Sequence, residues 1–209
     1  MLQGLMRSDD FEGVSIRQFE EADFDFVSDA IRKIGEADFD FVSDAIRKIG
    51  EGVLGKGLKA WEEAYLIPNG VTWTAEFHNT PVGFAATQDY GNGCMILHSD
   101  IVHPSRQRCG IGTALVLVRL ATSDPDEISE LGLLATEHSR TFYQRFGFKL
   151  ETEPTIDPFS KVTLARLTLP FNQTLSDDAW NRLTNSRIDL TLEDRPNPEA
   201  NKAQEGSRE

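Results

Sequence analysis

Residues Ile101 to Ala114 read IVHPSRQRCGIGTA, and this stretch restricts the fold more than any other. An apolar strand ends at Pro104, a basic loop follows, and Gly110-Ile111-Gly112 opens a helix. The first backbone amides of a helix have no partner within it, and they carry the positive end of the helix dipole. Glycine lets a bulky anion approach that backbone, and Arg106 and Arg108 add charge beside it. The segment is therefore a candidate diphosphate cradle. A glycine pair also occurs where a helix simply starts after a loop, so the pair alone does not decide between the two. A Rossmann fingerprint is excluded, because it needs GxGxxG with an acidic residue downstream, and no Gly-Lys-Thr follows to make a Walker loop.

Strand and helix patterns surround this segment. Val14 to Phe19 reads as a strand, and Leu58 to Leu66 as a helix after the glycine-rich joint Gly52 to Gly57. Pro68-Asn69-Gly70 is a turn. Val71 to Phe77 and Val82 to Tyr90 alternate as a hairpin around His78-Asn79-Thr80-Pro81. Cys94 to Val102 is a further strand, Gly110 to Ala121 an apolar helix, Ile128 to Ala135 a strand, Glu137 to Phe146 a helix and Val162 to Leu169 a strand. Strands joined by helical crossovers predict an α/β layered sheet. The domain is expected over residues 1–192, with 193–209 as a polar, disordered tail.

Residues 21–35 read EADFDFVSDAIRKIG, and residues 36–50 repeat them letter for letter. Two copies do not make a solenoid. Identity without drift marks a recent tandem duplication or an engineered insertion. Each copy reads as a helix: Asp23 or Asp38 can cap it, and Phe24, Val27, Ile31 and Ile34 fall on one face. Fifteen residues make about four turns plus roughly 60°, so an unbroken helix would offset the second apolar face from the first. The first copy directly follows strand one and is expected to dock as the native helix. The second then forms an extra or extended N-terminal helix, or a looped-out extension, and the reverse assignment of the two copies stays open.

The formal net charge is −13. That disfavours nucleic acid and anionic membranes and weakly favours cationic substrates. Two cysteines, Cys94 and Cys109, are too few for a disulfide framework. With no signal-like N-terminal stretch and no run long enough to span a bilayer, a cytoplasmic location is expected. The four histidines, His78, His98, His103 and His138, lack metal-ligand spacing, and no metal is expected.

Val102-His103-Pro104 followed by Gln107-Arg108-Cys109-Gly110-Ile111-Gly112 resembles the Q/R-x-x-G-x-G/A motif of the GNAT superfamily of N-acetyltransferases. Downstream, Tyr143-Gln144-Arg145-Phe146-Gly147-Phe148 looks like that family's Y-x-x-x-G-F element. The two motifs stand in the family's order, separated by one helix and one strand, and the similarity covers Val14 to Leu169. It implies a GNAT-like mixed central sheet with splayed middle strands and flanking helices. It implies acetyl-CoA as co-substrate, its diphosphate on the amides of Gln107, Arg108, Cys109, Gly110, Ile111, Gly112 and Thr113, and its pantetheine arm along Ile101 and Val102. Thr136 and Ser139 would touch the pantetheine or adenosine portion, although the family often has Asn and Ala at these places. A backbone amide would polarise the acetyl carbonyl. A homodimer is compatible with the resemblance.

The same resemblance casts Tyr143 as the acid that returns a proton to the leaving thiolate; read without it, the residue is a packed core tyrosine. The amine must lose a proton, and His98 and Asp100 are candidate bases on the strand that leads to the cradle, with Glu76 a third. A buried Asp100 would have a raised pKa, whereas pairing with Arg106 or a loop amide would make it structural. Trp61, Tyr65 and Trp73 could line a pocket, but such aromatics usually belong to a core. The expected function is acetyl transfer to a small-molecule or peptide amine. Its rivals are a non-catalytic acyl-CoA-binding module, a toxin-like acetyltransferase acting on aminoacyl-tRNA (disfavoured by the charge), and a duplication variant whose function belongs to a one-copy parent.

Overall fold

The computed structural model describes residues 13–20, 23, 70–156 and 163–191. The repeat apart from Asp23, the joint at 52–57, the helix expected at 58–66 and the tail at 193–209 lie outside the described residues, as do Trp61 and Tyr65. The described residues form a nine-stranded mixed sheet with helices packed on it.

A hairpin organises one half of the sheet. Strand β1 (Val14–Gln18) pairs antiparallel with β2 (Gly70–Phe77), which pairs with β3 (Thr80–Asp89). His78 and Asn79 form the β2–β3 turn with φ of 51° and 60°. Both central residues then have the positive φ of a two-residue turn whose twist matches its strands. The expected four-residue connection is thus shorter, and Thr80 and Pro81 belong to β3.

Strand β4 (Cys94–Val102) continues the antiparallel run beside β3 and lies parallel to β5 (Glu130–Thr136). Helix α1 (Ile111–Thr122) joins them and is buried from Thr113 to Ala121, as expected of a helix apolar on all sides. Its inner side lies on β3 and β4. Its outer side is covered by α3 (Gln173–Thr184), capped by the Asn172 side chain. Helix α2 (Glu137–Gln144) follows β5 and packs on β5 and β8 (Thr163–Pro170). The short strands β6 (Lys149–Leu150) and β7 (Thr155–Ile156) both pair with β8, and β9 (Asp189–Thr191) adds a parallel edge beside β1. The order is β6-β8-β5-β4-β3-β2-β1-β9.

Asp23, the third residue of the first repeat copy, is 2 % exposed. Its carboxylate takes two hydrogen bonds from the Arg17 guanidinium, each 2.8 Å, with others from Thr74 Oγ1 at 3.0 Å and the Glu20 amide at 2.9 Å. Burial pushes the carboxyl up, but Arg17 and the neutral donors outweigh it and hold Asp23 below the ordinary carboxylate range. The first copy is thereby tied to β1 and β2 at its start. Asp23→Ala is expected to cost about 1–3 kcal/mol in urea unfolding, because it removes the acceptor of the buried Thr74 hydroxyl and leaves the half-buried Arg17 with Glu76. The stability that Asp23 supplies should be complete above about pH 4 and fade as the pH falls further, since its folded pKa is depressed. Asp38→Ala, the same change in the second copy, is the control; an equal loss there would show that either copy can engage Arg17.

Candidate active site

The β4–β5 pair is hydrogen-bonded only at its start. Cys94, Met95 and Ile96 face Glu130, Leu131 and Gly132; beyond them Leu97 to Val102 and Leu133 to Thr136 have no partner across the pair. Gly132 makes the closed end narrow: a Cβ there would lie 2.8 Å from Ile96 Cδ1. Beyond these pairs the two strands are no longer hydrogen-bonded to each other.

The loop after β4 follows this unpaired stretch. Pro104–Arg106 makes one 3₁₀ turn, whose Ser105 amide donates to His103 Nδ1. Gln107, Arg108 and Cys109 are exposed, Gly110 and Gly112 half-buried, and the side chains of Ile111 and Thr113 turn into the core. Arg108 and Gly110 are left-handed, with φ of 62° and 82°. Gly110 is the N-cap residue of α1 and gives it no side-chain cap. The first helix bond runs from the Ala114 amide to the Gly110 carbonyl, so the amides before it are not used within the helix. Left-handed residues alternating ahead of a helix start concentrate amides into an anion-binding concavity. The two loop arginines differ: the Arg106 guanidinium stacks 3.8 Å from the Phe77 ring centroid, drawn back to the end of β2, whereas Arg108 is exposed. Gln107 Nε2 donates to the Val102 carbonyl at 3.2 Å, at the end of β4.

A bulge in β4 decides where its polar side chains face. Between the pairs Phe84–Ile101 and Ala86–His98, β3 has one residue, Ala85, and β4 has two, Ser99 and Asp100. A bulge re-aims side chains. Residues opposite one another share a face, so His98 and Ile101 lie on one face with Ala86 and Phe84. Val102 lies on the other with Gly83, against which Ile111 and Leu115 of α1 pack. Asp100 also reaches this α1 face, where its carboxylate accepts hydrogen bonds from Arg119 Nη2 and from the Tyr143 hydroxyl. In a regular strand Asp100 would share the face of His98.

Arg119 is the buried charge in α1. Its side chain is 0 % exposed, and besides Asp100 it donates from Nε to the Leu115 carbonyl at 3.0 Å and from Nη1 to the Ala86 carbonyl at 3.2 Å. Arg106 or a loop amide would have made Asp100 a structural residue of the loop; its partner instead lies in the second half of α1. Tyr143 is buried among aromatic rings, edge-on to Phe142 and Phe148. Burial, and then the charge of Asp100, push its phenol well above its ordinary range, while Arg119 works the other way. Burial, and then Arg119, push the His98 imidazole down, so it is neutral near pH 7.

The remaining candidates hold structural contacts. Thr136 and Ser139 form a reciprocal capping box at the start of α2, with the Thr136 amide donating to Ser139 Oγ at 3.0 Å and the Ser139 amide to Thr136 Oγ1 at 3.2 Å. Glu76 is paired with Arg17 at 2.7 Å on β2, and Trp73 lies in the core at 3 % exposure. Among the described residues no group of His, Cys, Asp or Glu is arranged to hold a metal, and no helix is long and apolar enough to cross a membrane.

Residues 68–150 match the family described as the acetyltransferase (GNAT) domain. Among curated proteins no sequence matches the chain. Solved structures share its fold. A GNAT-family acetyltransferase from Staphylococcus aureus superposes with a TM-score of 0.59 at 18% identity, covering 76% of this chain and 99% of its own. A spermidine N-acetyltransferase from Vibrio cholerae, in complex with CoA and spermine, gives 0.55 at 13% identity over 76% and 96% of the two chains. An aminoglycoside 6'-N-acetyltransferase complexed with coenzyme A gives 0.55 at 17% identity over 74% and 96%. The parted central strands and the uncapped, glycine-started helix both lie inside residues 68–150, the stretch similar to the GNAT acetyltransferase domain, a family that uses acetyl-CoA.

Proposed function

We propose that the chain transfers the acetyl group of acetyl-CoA to a primary amine by direct attack, with no acyl-enzyme. The observation that carries this reading is the parting of β4 from β5 beyond Ile96 and Gly132, followed by a glycine-started helix whose first amides make no bond within it. The CoA diphosphate rests on the backbone from Gln107 to Thr113, with Arg108 adding charge. Cys109 contributes its backbone only. The pantetheine arm lies along Ile101 and Val102 as an added strand, so the Gln107 side chain yields the Val102 carbonyl when the arm binds. Thr136 and Ser139 border the arm from the β5 side, as contact surface. A backbone amide near Ile101 polarises the thioester carbonyl.

The two faces of β4 divide the proton work. His98, neutral and on one face, takes a proton from the incoming ammonium. The amine nitrogen attacks the carbonyl carbon, the C–S bond breaks as the sulfur takes the Tyr143 hydroxyl proton from the other face, and the second proton shed by the nitrogen as the amide forms restores the phenol. Asp100, with both oxygens engaged, orients that hydroxyl rather than serving as the amine's base. The net charge of −13 favours cationic acceptors. Polyamines and aminoglycosides, named with two of the structural relatives, head the list of amines to test, with peptide N-termini beside them. The free thiols of Cys94 and Cys109 suit a reducing compartment such as the cytoplasm.

Free-thiol release from acetyl-CoA over such an amine panel tests the reading. Coenzyme A binding without transfer to any amine would reduce the protein to a binding module. Tyr143→Phe is expected to lower kcat by about a hundredfold or more, with coenzyme A affinity by calorimetry unchanged. Gly110→Ala forces a left-handed alanine at the head of α1, costing about 1–2 kcal/mol in urea unfolding, and should weaken coenzyme A binding in the same calorimetric experiment.

A further inference from the structure

We infer that Arg119 is a positioning residue for the transfer step: it immobilises the Asp100 carboxylate and thereby aims the Tyr143 hydroxyl at the slot where β4 parts from β5. The inference rests on the reading of Tyr143 as the acid.

Arg119 is the fully buried end of a chain of contacts that crosses three elements. Its Nε and Nη1 are fixed by the carbonyls of Leu115 on α1 and Ala86 on β3, which leaves Nη2 for Asp100 on β4. The second Asp100 oxygen takes the Tyr143 hydroxyl of α2. A planar guanidinium held at three points fixes the carboxylate in position as well as in charge. With ring and carboxylate both held, delivery of the proton to sulfur needs only rotation of the O–H about the phenol C–O bond. The charge matters equally. A phenol facing an uncompensated carboxylate would hold its proton more tightly, and Arg119 offsets that field. The charged and titratable groups around Tyr143 are Asp100 and Arg119, with His98 on the opposite face of β4 responding to the same two. Nothing in the phosphate-cradling loop touches Arg119, so its effect should fall on turnover rather than on cofactor binding.

Arg119→Met, Arg119→Lys and Asp100→Asn are compared in the full-length chain by two readouts. The first needs no catalysis: a proton NMR resonance of the buried Tyr143 hydroxyl, assigned by its loss in Tyr143→Phe. It should vanish or move in Arg119→Met and Asp100→Asn and survive in Arg119→Lys. The second is kinetic. Arg119→Met should lower kcat at least tenfold and change its pH profile, with the KM for acetyl-CoA within twofold, and Arg119→Lys should recover most of the rate. An unchanged resonance in Arg119→Met, or a pH profile that superimposes on that of the parent, overturns the inference. If Arg119→Met fails to fold, the nearly isosteric Asp100→Asn reads the same coupling from the other side, and an unchanged resonance there overturns it equally. A moved resonance in a protein that acetylates no amine would instead overturn the acid reading of Tyr143, and with it any role of Arg119 in transfer.

Discussion

Parallel strands that begin hydrogen-bonded and then separate leave a row of backbone groups without sheet partners, and the rest of this molecule is arranged around that row. Gly132 lets Ile96 close the narrow end, and the bulge at Ser99–Asp100 breaks the register of β4 just where the strands have parted. Unpaired backbone is costly when dry, so such a slot persists only where water or a ligand with matching amide groups can reach it. The side chain of Gln107 already answers one of these carbonyls. Such a row suits a guest that carries amide groups of its own better than an apolar one.

The second constraint is the burial of Arg119 in a helix that is otherwise apolar. Removing an arginine from water is expensive unless every donor finds an acceptor. The three acceptors it finds belong to its own helix, to β3 and to β4. The same carboxylate that satisfies Arg119 then orients Tyr143, so α1, α2 and the bulge share one polar junction inside the core. A single charge pair thus ties the second half of α1 to the bulged end of β4.

Much of this was legible in the sequence. The alternation of apolar residues placed β1 to β5 to within two residues, because half-buried strands imprint a period of two. The start of α1 was legible because glycine at a left-handed position and an apolar run after it are local signals. Helix α3 was not read, although Asn172 caps it and Leu175, Ala179 and Leu183 recur every four residues. The faces of His98 and Asp100 were not legible at all, since a two-residue spacing implies a shared face unless a bulge intervenes, and bulges are set by tertiary contacts. Arg119 carried a readable signal, a lone charge within LVLVRLA, which demands a buried counter-charge without saying which.

The anchoring of Asp23 by Arg17 and Thr74 has a consequence for the doubled segment. Everything duplicated beyond Asp23 enters between two already paired strands, β1 and β2, whose register is fixed by contacts on either side of the added stretch. Counted as slack alone, lengthening that connection by 15 residues costs only about 0.3 kcal/mol. Length can therefore vary at this point while the sheet from β3 to β8 keeps its pairing.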